Sequence, residues 1–481
     1  MDEGKYIMQI NRNMSAVIAN NQLLGIEERL SASIERLSSG LKINRASDNP
    51  SGMAISNKMK AQIDALDQAE ANAADGISVV QIADGALNEV SSILQRIREL
   101  SVQAANGINS FNDRQSMQDE VAELVKEVDR ISADTEYNTK KLLDGSSNVR
   151  VYGENGSRYQ VSESVDAKVY SLNVESVATQ ATVALDYEVP QADGLITING
   201  VGAQIASGMT REEYLQNVRN VAMEAGCSVE LSEDGSKMLI LSDYYGYDEE
   251  ISVTITEELA VASGAAGHED SIYKAEEKVY QIDTTGKDAV VTIPTQLEES
   301  GFTTTSTVEC NGNRVVVTDN DGFSIDFLLD EEFVPVADAV NGNFEIDVTD
   351  IGSLTIQVGA NEYQTMDVRI DEISAYTLYL DTVDIAIENG ADRAMGTLDE
   401  AIAKVSAARS RIGAFQNRLE YAETSLESSV ENITAAYSGL LDTDMAEEMS
   451  EYTQQNILNQ AAISVLSQAN ELPQQILSML K

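Results

Sequence analysis

A single histidine, His268, two cysteines, Cys227 and Cys310, and no tryptophan set narrow limits on the chemistry open to this chain. One imidazole excludes every site that needs two in one chain, H-E-x-x-H metalloproteases among them. Two thiols are too few for a disulfide framework or a cysteine zinc site, and each is read as an ordinary buried residue. The run Asp319-Asn320-Asp321-Gly322 hints at calcium, but an EF-hand loop needs a glutamate at its twelfth place, where Asp330 stands. It is read as a turn. Carboxylates are so abundant, 80 acidic side chains against 32 basic ones, that pairs suited to acid–base work arise by chance. A glycosidase pair is defined by a geometry that sequence does not carry. No enzyme activity, metal or cofactor is expected.

The same imbalance gives a net charge of -48 and a pI near 4.1. Binding to nucleic acid draws on Lys and Arg to release counterions, and anionic membrane surfaces attract basic segments, so neither partner is expected. No apolar run approaches the roughly 18 to 20 residues of a membrane span. Met1 to Ile10 carries Asp2 and Glu3 and lacks the apolar stretch of a Sec signal peptide. The 481 residues are enough for roughly three average domains.

The elements come in the order helix, sheet, helix. From Met53 to about Asn106, apolar residues recur every three or four positions through Met59, Ile63, Leu66, Ala73, Ile77, Val80, Leu87 and Leu94. That spacing predicts one helix roughly 80 Å long, ended by Asn106-Gly107. Asn112 or Asp113 is the expected cap of a shorter helix whose stripe is Met117, Val121, Leu124, Val128 and Ile131. At the far end a 4-3 register runs from Leu398 to Leu440, interrupted only by Arg409, Gln416 and Glu423. A stripe that long cannot be buried by its own helix. An antiparallel bundle joining the two ends of the chain is expected.

Between about Ser146 and Gly352 the grammar changes. Alternating runs such as Leu195 to Ile198, Lys237 to Leu241 and Arg314 to Thr318 are punctuated by Asn199-Gly200, Asp234-Gly235, Asn311-Gly312, Asp321-Gly322 and Asn341-Gly342. These are hairpin signals. One helix, Thr210 to Ala225, is expected among them, with Thr210 and Glu213 forming a capping box. Residues 151 to 350 hold 38 acidic and 9 basic side chains, so most of the net charge lies here. The fold class is therefore mostly α with a β-rich insert facing water: a long helical bundle or coiled coil from both chain ends, plus an α+β insert.

The outermost segments, Asn11 to Gly40 and Met445 to Lys481, have modest apolar stripes. One is Val17, Leu23, Leu24, Leu30, Ile34 and Leu37; the other is Ile463, Leu466, Ile476, Leu477 and Leu480. Single amphipathic helices of this length are marginal in water, so these segments are expected to order on meeting copies of themselves.

Specific motifs now add a resemblance. Ile34-Glu35-Arg36-Leu37-Ser38-Ser39-Gly40-Leu41-Lys42-Ile43-Asn44, followed by Ala46, Asp48 and Gly52, resembles the N-terminal signature of bacterial flagellins. So do Asp75-Gly76-Ile77-Ser78 and Gly85-Ala86-Leu87-Asn88-Glu89 leading to Leu94-Gln95-Arg96-Ile97-Arg98-Glu99-Leu100. Gly413-Ala414-Phe415-Gln416-Asn417-Arg418-Leu419, Ser464-Val465-Leu466-Ser467-Gln468-Ala469-Asn470 and the closing Pro473 to Lys481 are similar to the C-terminal signature. The likeness covers about 8 to 145 and 352 to 481. The insert bears only a weak likeness, around Ile196 to Gly200, to a short module of some flagellins.

The resemblance implies a subunit of the flagellar filament, exported unfolded through the flagellar channel, chaperoned at its C-terminal segment and polymerised at the distal tip. The expected division is 1–44 as N-terminal filament-core helix and 45–145 as N-terminal half of a helical tube domain. Residues 146–352 are the outward-projecting insert, 353–441 the C-terminal half of the tube, and 442–481 the C-terminal filament-core helix. Partners implied are other copies of the chain, an export chaperone, and cap and junction proteins; the product is secreted and is a surface antigen. Filament-core assembly falls to Leu23, Leu30, Ile34, Leu37, Ile463, Leu466, Ile476, Leu477 and Leu480. Arg96, Leu100 and Glu120, with Gln95 and Arg418, match positions contacted by Toll-like receptor 5 in receptor-activating flagellins. As bundle residues alone, Leu100 and Ile97 are core and Arg96 and Glu120 are solvated.

Two departures stand out. The family usually starts near Met8, which leaves residues 1 to 7 outside its pattern. Many members carry a basic turn between the two C-terminal helices, where this chain has Tyr437-Ser438-Gly439-Leu440 and then Asp442, Asp444, Glu447 and Glu448. A hook–filament junction or cap protein would share the coiled ends and the export route but match these signatures less well. An enzyme housed in the insert is the other alternative.

Overall fold

The computed structural model describes residues 13–162, 164–188, 191–232, 234–247, 249–256, 259, 270–274, 278–294, 300–320, 322–335 and 343–479, with side chains to 472. His268, Asp321 and the Asn341-Gly342 turn lie outside them. Among the described residues no helix is long and apolar enough to cross a membrane.

Local chemistry fixes the helix ends. Asn13 caps α1 (Met14–Ser39) by accepting the Ala16 N–H, and Gly40, at φ +76°, closes the other end by donating to the Arg36 carbonyl at 2.8 Å. α2 (Pro50–Ala104) opens on a proline, whose missing N–H is not needed in a first turn. Ser110, rather than Asn112 or Asp113, caps α3 (Phe111–Asp134). Its hydroxyl accepts the Asp113 N–H while the Asp113 carboxylate accepts the Ser110 N–H, so two free donors are satisfied at once. α4 (Arg211–Glu224) has the expected Thr210–Glu213 capping box. α5 (Gly390–Leu441) and α6 (Met445–Met479) follow, and the Asp444 carboxylate accepts the N–H groups of Ala446 and Glu447 at the start of α6.

The described residues fall into two compact units. One takes those up to Ala74, Gln357–Thr365 and those from Glu420 onward; the other takes Asp75–Ile356 and Met366–Leu419.

In the larger unit the helices pack as expected. Val80, Leu87, Val90, Leu94 and Ile97 of α2 are fully buried, with Val121 and Val128 of α3 and Leu398, Val405, Ile412 and Leu419 of α5. Arg98 meets Asp399 at 2.6 Å and Arg409 meets Asp84 at 2.9 Å, so α5 runs antiparallel to α2. Arg409, an exception in the apolar register, is there as half of an ion pair. A tight hairpin, Glu136–Tyr137 with Lys140–Lys141, follows α3.

The insert holds two β cores. In one, the sheet Val290–Thr292, Val169–Ser176, Phe344–Val348, Val151–Gly153 and the sheet Thr307–Asn311, Arg314–Thr318, Ser324–Leu329, Gly156–Val161 share a core that includes Tyr170, Leu172, Phe327 and Phe344. In the other, α4 joins a three-stranded sheet (Gln180–Asp186, Lys237–Tyr245, Cys227–Leu231) and a five-stranded one. The five run in the order Ser271–Lys274, Val279–Thr285, Glu250–Thr256, Gly194–Ile198, Val201–Ile205. Asn199 (φ +47°) and Gly200 (φ +88°) make the two-residue turn that their sequence predicts. Cys227 is buried in the second core, where burial pushes its thiol up to about 12, while Cys310 packs at the edge of the first. Both are unpaired. Asp319 sits in a turn and accepts the hydroxyls of Thr303 and Thr305.

The smaller unit contains α1, α6, the first part of α2 and the last part of α5. One apolar cluster in it packs Leu66 and Ala69 against Leu426, flanked by Ala360, Val430 and Ile433.

Candidate assembly interface

Within the smaller unit α1 and α6 lie antiparallel along one another. Asn13 Nδ2 donates to the Ala469 carbonyl at 2.7 Å, and Ser33 Oγ donates to Glu448 Oε1 at 2.5 Å. Next to the connecting segments, the Thr443 N–H donates to the Gly40 carbonyl at 2.9 Å and the Lys42 N–H to the Leu441 carbonyl at 2.6 Å. The seam repeats every seven residues. Ala19, Ile26 and Ser33 of α1 are buried, as are Glu448, Gln455 and Ala469 of α6. Such a repeat is a coiled-coil spacing, and apart from Ile26 its buried positions are small or polar.

Glu448 is the anchor of that seam. It is 7% exposed and takes the Ser33 hydroxyl together with Nε and Nη2 of Arg36, both at 3.0 Å. Burial pushes its carboxyl up, but those donors and the guanidinium charge prevail and hold it below the usual range. Gln455, one repeat further along, has a buried Oε1 with no donor among the described residues.

The large apolar residues singled out for assembly divide between the seam's 4-3 register, where Leu23, Leu30, Leu37 and Leu466 fall, and the outward face. Ile34 and Ile463 are 49% and 52% exposed, while Leu23, Leu30, Leu37 and Leu466 are half-buried. The side chains of Ile476 and Leu477, and Leu480 altogether, lie outside the described residues. Met14, Val17, Ile18 and Leu24 of α1 and Ile457, Leu458 and Val465 of α6 are exposed as well. Ile26, Ser33, Arg36, Glu448 and Gln455 also lie in or beside the seam and were passed over by a search for bulky apolar stripes. The spacing 448-455-462-469 was the available signal.

The receptor-matching residues sit in the larger unit. Arg96 Nε and Nη2 donate to Glu120 Oε1 at 3.0 and 2.8 Å, which ties α2 to α3, and Nη1 reaches Glu99 at 3.2 Å. Gln95 is exposed beside them. Leu100 is only 2% exposed, so its side chain belongs to the bundle core. Arg418 is exposed over the Phe415 ring, but the adjacent Leu419 lies against Gly76. That places it about 30 Å along α2 from Arg96, at 1.5 Å per residue. Gln95, Arg96 and Glu120 share one surface; Arg418 is not part of it.

A third cluster went unforeseen. Asp326, 6% exposed, is gripped by Arg314 and by Lys404 Nζ, each at 2.9 Å. The Tyr379 ring faces the cationic groups of Arg158, Arg314 and Lys404 at 4.7 to 5.2 Å. Burial raises the Asp326 carboxyl, but the two cations win and hold it low. Asp381 and Glu400 complete the pairing. The cluster fastens the insert to α5 and offers no poised nucleophile. Among the described residues no group of His, Cys, Asp and Glu could hold a metal ion.

Comparison with known proteins reads the same helices. Residues 10–148 match the bacterial flagellin N-terminal helical region, and residues 395–480 match the bacterial flagellin C-terminal helical region. The chain is 32% identical to a flagellin of Clostridium tyrobutyricum over 97% of its own length and 100% of the relative's. It is 30% identical to a flagellin of Salmonella typhimurium over 98% and 99%, and 31% identical to flagellin D of Vibrio anguillarum over the same shares.

Proposed function

This chain belongs to the bacterial flagellins, a family of structural proteins rather than enzymes, and on that premise we propose how its parts build a flagellar filament. Its product is a filament subunit, and the filament is extracellular. α1 and α6 are the polymerising elements. The observation that carries this reading is the face the pair leaves open: Val17, Ile18, Leu24, Ile34, Ile457 and Ile463 remain exposed, while the buried positions of the seam are small or polar apart from Ile26. Apolar area of that extent is stabilised when copies cover it. A subunit that repeats one heterologous contact makes an open helical polymer. The subunit travels unfolded through the flagellar channel with a chaperone on its C-terminal segment, meets cap and junction proteins at the filament ends, and presents the acidic insert outward as antigen.

The test is electron microscopy of the purified chain after seeding, beside a version lacking residues 1–44 and 445–481. Long uniform filaments from the full chain alone are expected. Polymer from the truncated chain would move the assembly determinants elsewhere, and short plugs from the full chain would favour a junction or cap role.

A second role rests on the exposed surface of Gln95, Arg96 and Glu120, which Toll-like receptor 5 would read on a released subunit. Arg96→Ala and Glu120→Ala should each weaken receptor activation in a reporter cell line. Arg418→Ala should do so less, because it stands apart; equal loss from all three would contradict this assignment.

A further inference from the structure

Asn-Gly pairs stand at 106, 155, 199, 311, 341 and 389. Each carries the parts of an intramolecular reaction. The glycine nitrogen is a nucleophile with no Cβ beside it, and the carbonyl carbon of the preceding asparagine's side chain is the electrophile. Attack closes a succinimide ring: the new bond joins the glycine nitrogen to Cγ, that nitrogen loses its proton, the Cγ–Nδ2 bond breaks and ammonia leaves. Water then opens the ring at either carbonyl and leaves an aspartate or an isoaspartate. Nothing is oxidised, and water is the sole co-reactant. The reaction needs a free glycine N–H and an asparagine side chain at liberty to turn onto it.

The fold closes most of these pairs. The Gly312 N–H donates to Asp288 Oδ1 at 3.0 Å, and the Gly390 N–H donates to the Ile387 carbonyl at 3.2 Å. Asn199 is held by its side chain, where Oδ1 accepts the Ser252 N–H at 2.9 Å and Nδ2 donates to the Ala225 carbonyl at 3.3 Å. Gly156 is fixed in a ladder opposite Leu329, and the Asn155 carbonyl accepts the Asp330 N–H at 3.0 Å. Asn341 lies outside the described residues.

Asn106-Gly107 is left open. Both residues are exposed, in the turn between α2 and α3, and the Gly107 N–H has no acceptor among the described residues. The Asn106 side chain makes a single long contact, in which Oδ1 accepts the Ile108 N–H at 3.4 Å. That contact favours the reaction. It folds the side chain back over the Gly107 peptide as an Asx turn, and it sets a donor on the oxygen that gains charge as Cγ is attacked.

We propose that Asn106 is a self-modification site: the Gly107 nitrogen of the same chain converts it, without an enzyme, to aspartate and isoaspartate, and the product loosens the end of α2. The Gln103 carbonyl there accepts the Asn106 N–H at 3.3 Å and Asn109 Nδ2 at 2.6 Å. A carboxylate at 106 adds negative charge to the negative end of the α2 dipole. An isoaspartate lengthens the main chain between those two bonds.

The experiment incubates the full-length native chain, Gly107→Ala and Asn106→Gln at mildly alkaline pH, folded and in urea. Peptide mass mapping follows amide-to-acid conversion at each asparagine, and a protein isoaspartate methyltransferase counts the isoaspartate. Gly107→Ala should fold as native, because a Cβ there meets nothing within 4 Å and the backbone is not left-handed. Asn106→Gln keeps the amide on a side chain too long to close the succinimide. In the folded native chain, position 106 should convert about tenfold faster than 155, 199, 311 and 389. In urea that gap should close. Gly107→Ala should slow conversion at 106 about tenfold, and Asn106→Gln should abolish it. Aged native chain should exchange the amide hydrogens of the last turn of α2 faster than equally aged Asn106→Gln. No conversion at 106 in the folded chain overturns the proposal, as does equal conversion at the protected pairs or full-speed conversion in Gly107→Ala. Unchanged hydrogen exchange after conversion overturns the loosening of α2.

Discussion

The β core around Phe327 and the α1–α6 pair draw on the same residue types and use them in opposite ways. In the insert, Tyr170, Leu172, Phe327, Phe344 and Ile346 are 2% exposed or less. Fully burying such side chains contributes about 1.5 to 3 kcal/mol each. In the pair, Ala19, Ser33 and Ala469 occupy the inside, and most of the isoleucines and leucines stand partly or wholly in water. One region closes on itself. The other encloses Ile26 with small and polar side chains, adds hydrogen bonds between its helices, and leaves much of its apolar surface exposed. Stability and assembly are therefore separable in this chain, and mutations should separate them.

The largest effect should come from the closed region. Phe327 is fully buried, stacked 5.0 Å from Phe344 and 5.8 Å from Tyr159. Phe327→Ala should cost about 3 to 5 kcal/mol from lost transfer and the cavity left behind. Calorimetry should show the insert melting early, while electron microscopy still finds filaments. Loss of filaments together with the insert would break the comparison, because assembly would then depend on the β core.

An intermediate effect is expected at Glu448. Glu448→Ala leaves the Ser33 hydroxyl without its buried acceptor and strips Arg36 of its closer partner, at a cost of about 1 to 3 kcal/mol. Far-UV circular dichroism should lose helix while the insert's melting stays put. The same contact sets a pH dependence. Because the folded carboxyl titrates below the ordinary glutamate range, its contribution is fully present above that range and disappears as pH falls through the lower folded value. The groups that face it are Ser33 and Arg36, with Glu451 beside Arg36 at 3.8 Å. Glu448→Gln should flatten the acid loss of helix. An unchanged acid profile in that variant would assign the effect to other carboxylates.

The contrast also explains what could be read from the sequence. Long stripes such as Val80 to Leu94 and Leu398 to Leu419 announced their helices because burial at every turn forces a 3-4 spacing. The Asn199-Gly200 turn and the Thr210–Glu213 box were legible because backbone geometry there admits few residue types. The α3 cap was misplaced by two or three residues because Ser110, Asn112 and Asp113 are all good caps, and only the reciprocal bond selects Ser110. The seam of Ala19, Ile26 and Ser33 was hidden for a different reason. A heptad whose buried positions are small or polar except for Ile26 carries little hydrophobic contrast, so the bulkier residues around it drew the reading. The grip of Arg314 and Lys404 on Asp326 joins residues 78 and 12 positions apart and has no local signature at all.

The smallest effect on the subunit should come from the outward face, and there the comparison becomes sharpest. Ile463 is 52% exposed on α6, away from the seam residues Gln455 and Ala469. Removing most of its side chain takes little buried area from the monomer, so Ile463→Ala should change subunit stability by less than about 0.5 kcal/mol. In a polymer that covers this face, the same truncation removes area that a neighbour would bury, and free subunit at equilibrium should rise several-fold. Ile26→Ala reverses the pattern: a buried seam residue is lost, helix content falls in the monomer, and polymer weakens only as a consequence. Measuring helix content and free subunit for both variants places each residue on one side of the line. If Ile463→Ala lowers helix content as much as Ile26→Ala does, the outward face is already covered within the subunit, and the division between a seam that holds and a face that assembles does not exist.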